Sequence, residues 1–238
     1  MITYNNENIE STFGCKVFRI DSDYTPAQIQ EMIEVPGRNG SLILDSKRYP
    51  NVEMKYTAIF YDHEGVSADS HCRNLLSFLA STVGYKELYD NEHTDEYYMA
   101  SVINDFEPIY DKDRSMVKVQ IAFNRKPQRF LNSGKTSISI SSDTTITNPT
   151  LFPSNPLIRV VGEGTFYIGA TAITITSPGT AYVDIDSDMQ DCFYGTQNLN
   201  DKVAFSGYKF PVLNPGNNGI TFGTGISSIT ITPRWWRI

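Results

Sequence analysis

From Val52 to Phe60 apolar and polar positions alternate: Val52, Met54, Tyr56, Ala58 and Phe60 share one side, and Glu53, Lys55 and Thr57 the other. A period of two marks a strand with one buried face. The period lengthens in GVSADSHCRNLLSFLASTVG, where Cys72, Leu75, Leu76, Leu79 and Val83 recur at helical spacing. With Ser67 as its cap and Gly84 placed to stop it, this stretch predicts the main helix. TPAQIQEMIEVPG reads two ways. Thr25 and Pro26 suit a helix start, whereas Pro36 and the β-branched residues before it favour an extended exit. Strand patterns return in KELY, YYMASV and MVKVQIAF, the last with Val117, Val119, Ile121 and Phe123 opposite Lys118 and Gln120. The amino-terminal part, residues 1–133, therefore reads as an α+β domain: a sheet carrying one helix.

The pattern changes after Phe130. Residues 131 to 156 are rich in Ser, Thr, Asn and Pro and contain the breakers Asn148-Pro149, Pro153 and Asn155-Pro156, so a connecting segment is expected at 134–156, with TSISIS as a strand inside it. From 157 to 238 the chain reads as all-β. LIRVVGEG, TFYIG, AITITS, AYVDID, KVAFSG and SSITITP are short strands separated by turn residues every ~8 to 12 positions, the rhythm of a sandwich. The expected fold class is mainly β, in two domains.

Charge and composition narrow the function. A net charge of −7 and a pI near 5.0 over 238 residues argue against a broadly basic nucleic-acid binder. No apolar run approaches the ~20 residues that cross a bilayer, and MITYNNENIESTFG lacks the regions of a signal peptide, so a soluble protein made in a cytoplasm, without membrane insertion, is expected. Cys15, Cys72 and Cys192 are too far apart for zinc spacing, and their odd number does not complete a disulfide framework.

The candidate chemical motifs each have a plainer structural reading. GRNG at 37–40 lacks the spacing of a nucleotide-binding loop, and no helix opens after it; Asn39-Gly40 instead predicts a two-residue hairpin turn, with Arg38 offered to a partner. GEGTFYIG leads into a strand and reads as a strand-end turn. In DIDSDMQDCFYG, Asp184, Asp186 and Asp188 mimic the first ligands of a calcium loop. Met189 stands where that loop needs Gly, however, and Gly195 where it needs Glu, so the aspartates read as one face of a strand opposite Val183 and Ile185. Asp90, Glu92, His93, Asp95 and Glu96 read as a polar loop before they read as a metal or acid–base site, and His63 and His71 fit no metalloprotease pattern. No GxSxG or local catalytic-thiol signature occurs. The basic cluster Arg125, Lys126, Arg129 and Lys135 around Phe130 suggests an electrostatic contact between domains or subunits. Trp235 and Trp236, adjacent in a strand, face opposite sides: one for the core, the other for a partner or a sugar. No catalytic, cofactor-binding or metal residue is assigned.

Taken in order, VPGRNG before YPNVEMKY, FNRKPQRFLNSG, NPLIRVVGEG, VDIDSDMQDCFY, FPVLNPGNNGITF and PRWWRI resemble the distal tail proteins of long-tailed phages and prophages, over nearly the whole chain. The resemblance implies a hexameric ring at the distal end of the virion tail. Its amino-terminal domain would build the ring, with a protruding β-hairpin against the neighbouring subunit, and its carboxy-terminal domain would be a galectin-like β-sandwich. It implies as partners the tail tube protein, the tail-associated protein at the tip and, in some members, receptor-binding proteins. No enzymatic activity or cofactor is implied, and no sugar-contacting residues can be matched. DNA would pass through the channel without specific binding, its transit eased by an acidic ring.

The residues support an assembly protein independently of that likeness. The stretch from Leu42 to Tyr61 reads as a long strand whose second face is also partly apolar through Ile59 and Tyr61, a liability that a closed ring of copies would cover. The alternative from another class is a carbohydrate-binding sandwich displaying Trp235 or Trp236 to a glycan. An enzyme with a dispersed site is a third.

Overall fold

The computed structural model describes residues 1–21, 24–63 and 65–238, and its contacts divide into two units, Met1–Arg129 with Ile238, and Phe130–Arg237. The first unit opens with strands β1 (Thr3–Tyr4) and β2 (Glu7–Asn8), the short helix α1 (Ile9–Phe13) and β3 (Cys15–Arg19). A hairpin of β4 (Gln30–Glu34) and β5 (Ser41–Asp45) follows, then β6 (Val52–Tyr61) and the main helix α2 (Ala68–Ser81). Four strands complete the unit: β7 (Lys86–Tyr89), β8 (Glu96–Val102), β9 (Ile109–Tyr110) and β10 (Met116–Arg125). Their antiparallel sheet runs in the order β2-β1-β7-β8-β10-β6-β3, with β9 also paired to β10.

The alternation at 52–60 has the consequence the pattern predicts. Register sets Met54 opposite Phe123, Tyr56 opposite Ile121, Ala58 opposite Val119 and Phe60 opposite Val117, and all eight are buried. Helix α2 lays Ala68, Cys72, Leu75 and Leu79 on this face. Removing each large side chain from water contributes about 1.5–3 kcal/mol. Ser67 caps the helix by accepting the Ser70 amide. The helix stops at Ser81, three residues before Gly84, because Thr82 takes an extended conformation, and Val83 is left exposed. Between β8 and β9 the side chain of Asn104 stands in for a strand: its Oδ1 accepts the Ala122 amide and its Nδ2 donates to the Gln120 carbonyl.

One open reading is settled here and one expectation changes. TPAQIQEMIEVPG is not helical: Gln30–Glu34 is a strand, its partner supplied by Ser41–Asp45 across the loop. The single long strand from Leu42 to Tyr61 is two strands, β5 and β6, with 46–51 between them. Strand β6 is interior, bonded to both β10 and β3, so the sheet's edge strand at this end is β3.

At the border of the units lies β11 (Arg129–Leu131), and the second unit continues with β12 (Ile138–Ile140), β13 (Thr144–Asn148), β14 (Leu157–Gly162), β15 (Gly164–Ile168) and β16 (Thr171–Ile175). Then come β17 (Val183–Asp186), β18 (Asp191–Tyr194), β19 (Gln197–Asn198), β20 (Val203–Phe205), β21 (Gly216–Phe222), β22 (Ile226–Thr232) and β23 (Trp236–Arg237). One sheet has the order β12-β22-β14-β17-β18-β19 and the other β13-β21-β15-β16-β20. Ile158, Val160, Ile185, Ile229 and Ile231 from the first meet Phe166, Ile168, Ile173 and Ile220 from the second in one core. Residues 134–156, expected as a connection, supply β12 to one sheet and β13 to the other. FPVLNPGNNGITF, expected as a turn, contains β21. Asn218 makes that possible by donating from its buried amide to the carbonyls of Asn214 and Gly216.

The chain passes between the sheets at Gly162–Gly164 and again at Gly223–Gly225, and these corners touch backbone to backbone. A Cβ on Gly162 or Gly164 would overlap the carbonyl oxygen of Gly225 or Thr224, and one on Gly223 or Gly225 that of Thr165 or Glu163. The strand-end reading of GEGTFYIG is correct, and its glycines are required by close approach. No helix among the described residues is long and apolar enough to cross a membrane.

Candidate assembly surface

The hairpin is the feature that a self-contained domain would not leave open. Every residue from 29 to 48 is exposed, and among the described residues β4 and β5 pair only with each other. Register fixes its faces. Met32 and Ile43 are directly opposite on one side; Ile33 pairs with Leu42 and Glu31 with Leu44 on the other, where Ile29 and Val35 also lie. Met32 is 68% exposed on one side and Leu44 47% on the other, so both faces carry apolar side chains in contact with water. An isolated two-stranded hairpin is marginally stable in water, and its two open edges are templates for further pairing. At its base the Ile29 amide donates to the Arg48 carbonyl, and the Ser46 hydroxyl to the carbonyl of Ile29.

GRNG forms the tip, as its turn chemistry predicts, but the two-residue turn does not occur. The loop spans residues 35–40, the Arg38 amide donates to the Val35 carbonyl, and the positive φ angles fall on Gly37 and Gly40. Arg38 is exposed there.

The remaining candidates resolve into structural pairs. Asp90 accepts the amides of Glu92 and His93 and the Tyr56 hydroxyl, while Arg19 donates to Asp21 at 3.0 Å and to Glu92 at 2.9 Å. Arg19, Tyr56, Asp90 and Glu92 line a cavity of about 240 Å³. Burial pushes the Tyr56 hydroxyl far above its ordinary pKa, helped by the Asp90 charge, so it stays protonated. Glu96 is buried with Arg129 near it at 3.9 Å. Asp184 receives two hydrogen bonds of 2.8 Å from Arg159, and Asp186 receives bonds of 2.7 and 2.8 Å from Arg234. Asp186 also accepts the amides of Asp188 and Met189, the turn that carries Asp188 out to solvent. Of the three aspartates expected on one strand face, Asp184 and Asp186 are buried against arginines. Burial works to raise the Asp186 pKa, but the Arg234 guanidinium and the two amides outweigh it and hold it below the usual carboxylate range.

The basic cluster is likewise not one surface. Arg125 is fully buried, its guanidinium 4.8 Å from the Tyr98 ring and donating to the carbonyls of Lys126 and Pro127. Arg129 is buried too. The signal that would have revealed this is Tyr98, one strand away and invisible to linear spacing. Trp235 fills the core of the second unit at 5% exposure. Trp236 is half-buried, one face of its ring stacked on Phe152 at 4.6 Å, and donates to the Pro153 carbonyl. His63 bridges to Val66, and His71 lies under Gly14. All three cysteines are free and buried; burial lifts Cys15 and Cys192 to about 12 and Cys72 to about 11, so they stay protonated. Among the described residues no three His, Cys, Asp or Glu side chains converge to hold a metal.

The chain thus carries a helix-bearing sheet with an extruded hairpin, followed by a two-sheet sandwich. The chain superposes along its full length on the Dit protein of phage SPP1, described as a paradigm of the hub adsorption apparatus in Gram-positive infecting phages, with a TM-score of 0.66, 13% identity and 98% of that chain covered. A chain of the phage P2 baseplate in its activated conformation with calcium matches at a TM-score of 0.51 and 12% identity, over 91% of this chain and 89% of that one. No protein-family model matches the sequence, and no curated protein matches it. The shared fold is that of a phage distal tail protein.

Proposed function

We propose that this chain is a structural distal tail protein of a long-tailed phage or prophage, six copies of which form a ring joining the tail tube to the host-adhesion apparatus at the tail tip. The observation that carries the reading is the wholly exposed apolar hairpin on a fold matching a phage hub protein from end to end. A monomer gains nothing from twenty residues held open to water, whereas a ring in which each copy covers the next hides them at every contact, because a heterologous interface repeats until the rotation closes. In this reading residues 1–133 build the ring, and the sandwich, galectin-like in its two-sheet form, faces outward toward receptor-binding proteins. The tail tube protein and the tail-associated protein meet opposite faces of the ring. The pairing of the candidate acids and bases with one another supports a non-enzymatic role.

Light scattering on the purified chain, alone and with its tail neighbours, tests this. A species of six times the 26.8 kDa chain mass is expected, and micrographs with this protein labelled should show it at the distal end of the tail. A chain that stays a monomer with its neighbours supplied overturns the proposal.

A further inference from the structure

Burial fixes which way the strands of the second sandwich sheet point. Phe166, Ile168, Ile173, Ile175 and Ile220 are buried in the core, so their chain neighbours project from the opposite side. Register then places Thr221, Tyr167 and Ala172 in one cross-strand row, and Thr165 and Thr174 in the next, their hydroxyls 2.9 Å apart. Toward the β13 edge Thr145 lies opposite Gly219, and the Thr147 hydroxyl donates to Asn217 at 2.8 Å. Tyr167, on the central strand of the five, is flanked across the sheet by small side chains and is 43% exposed. Beyond β16 the Ser206 hydroxyl accepts the Ala172 amide, which sets Tyr208, two residues on, at the margin of the same face. Tyr208 is 99% exposed and sits at a φ of +55°, left-handed backbone that a tyrosine seldom adopts. A large ring held open to water on strained backbone does nothing for the core of its own unit.

Charged residues make up 20% of the chain, yet these outward positions carry none. The nearest charges lie at the margins: Glu163 accepts the Ser177 amide, Asp143 accepts the Phe222 amide, Lys202 pairs with Asp201 at 2.9 Å, and Lys209 follows Tyr208. The outward side of the other sheet differs, with the Arg159–Asp184 pair on β14 and β17.

We infer that this face of β13, β21, β15 and β16 binds a neutral polysaccharide, Tyr167 and Tyr208 stacking on sugar rings while the threonine hydroxyls bond to the sugar hydroxyls. The chemistry selects that occupant. A sugar ring has an apolar face that a tyrosine ring covers, and hydroxyls that both donate and accept, as a threonine hydroxyl does. An anionic polymer calls for arginines or lysines that the face lacks. A protein partner calls for a packed core of apolar anchors, whereas apart from the two tyrosines the outward positions hold threonine, asparagine, alanine and glycine. The tryptophans take no part: Trp235 is in the core, and Trp236 lies on β23, which pairs with β11 outside both sandwich sheets. The inference goes beyond the hub reading and does not rest on it, since each copy carries its own face.

The test runs the full-length chain in native affinity gels cast with soluble polysaccharides: dextran, galactomannan and xyloglucan as neutral probes, and polygalacturonate as the anionic one. At least one neutral probe should retard the chain, and polygalacturonate should not. Tyr167→Ala and Tyr208→Ala should each raise the dissociation constant about tenfold, and the double variant should run as if no probe were present. Met189→Ala, at an exposed apolar residue of the same unit, should bind as the wild type does. Tryptophan fluorescence during urea unfolding confirms that each variant folds. Absence of retardation by every neutral probe, or retardation that survives in the double variant, overturns the inference. So does a double variant that loses a tail neighbour while no glycan binds, which would make the face a protein contact. Light scattering on the same preparations separates the two readings: a six-copy species without glycan binding leaves the hub reading standing, and glycan binding by a chain that never assembles leaves only this one.

Discussion

At Gly162, Gly164, Gly223 and Gly225 two corners of the sandwich pass so closely that hydrogen is the only side chain that fits. Gly223→Ala is expected to destabilise the second unit by about 2–4 kcal/mol, because the obstacle is the Thr165 carbonyl and not a side chain that can swing away. Gly195→Ala is the control: its φ of +59° is also left-handed, but nothing lies within 4 Å, so about 1–2 kcal/mol is expected. Both tryptophans, Trp235 and Trp236, lie in the second unit, so tryptophan fluorescence during urea unfolding reads the difference. Asp186 gives a pH dependence. Its folded pKa is held below the unfolded value of about 3.9, so its contribution is present above that pH and is lost as pH falls through the folded value. Arg234→Gln removes its partner and should cost about 3 kcal/mol at pH 7, the lower end for a broken buried pair because Arg234 keeps some contact with water. The variant's stability should change less than the wild type's between pH 4 and about pH 2 in the same fluorescence assay. Linear spacing showed that Asp184 and Asp186 share a face; it did not show Arg159 and Arg234, which are 25 and 48 positions away. Arg125 was misread for the same reason, since a guanidinium over Tyr98 and one in solvent have the same neighbours in sequence.

Among elements, the strong periods were legible. Strands β6 and β10 and the helix α2 follow from alternation and helical spacing, because each buries one face and leaves the other in water. Strands β13 and β21 were not, because Asn, Gly and Thr give no hydrophobic alternation; their pairing rests on main-chain bonds and on the Asn218 amide. The hairpin was half legible: its tip was marked by Asn39-Gly40, but with both faces exposed there was no buried side to set a period for β4. That exposure yields a prediction. Replacing residues 30–45 with a short Gly-Ser link should leave the melting temperature of the unassembled chain within about 2 °C, since the hairpin adds nothing to the buried core. The same replacement should abolish the six-copy species in light scattering. In the intact chain, amides of 30–34 and 41–45 should exchange with solvent far faster than those of β6 and β10 until copies assemble. A large loss of melting temperature in the shortened chain would show that the hairpin supports its own domain instead of a neighbour.

For the whole molecule, two cores follow from two compositions. The first unit packs Tyr4, Tyr98, Phe60 and Phe123 around a helix, and the second packs branched aliphatics between sheets. The change after Phe130 was visible in sequence as a shift toward Ser, Thr and Asn, although residues 134–156 turned out to be strands of the sandwich. In the second unit the two chain ends meet: the Leu131 amide donates to the Trp235 carbonyl and the Arg234 amide to that of Gly134. A domain with its own core and its termini bonded together meets the requirements for folding alone. The fragment from Phe130 to Ile238 should therefore unfold in one cooperative urea transition, with Trp235 fluorescence and far-ultraviolet circular dichroism falling together. Its midpoint should match the tryptophan-detected transition of the intact chain. A fragment that lacks a cooperative transition while the intact chain keeps one would mean that this core is completed by the first unit, and the proposed division of labour between a ring-building and an outward-facing domain would lose its physical basis.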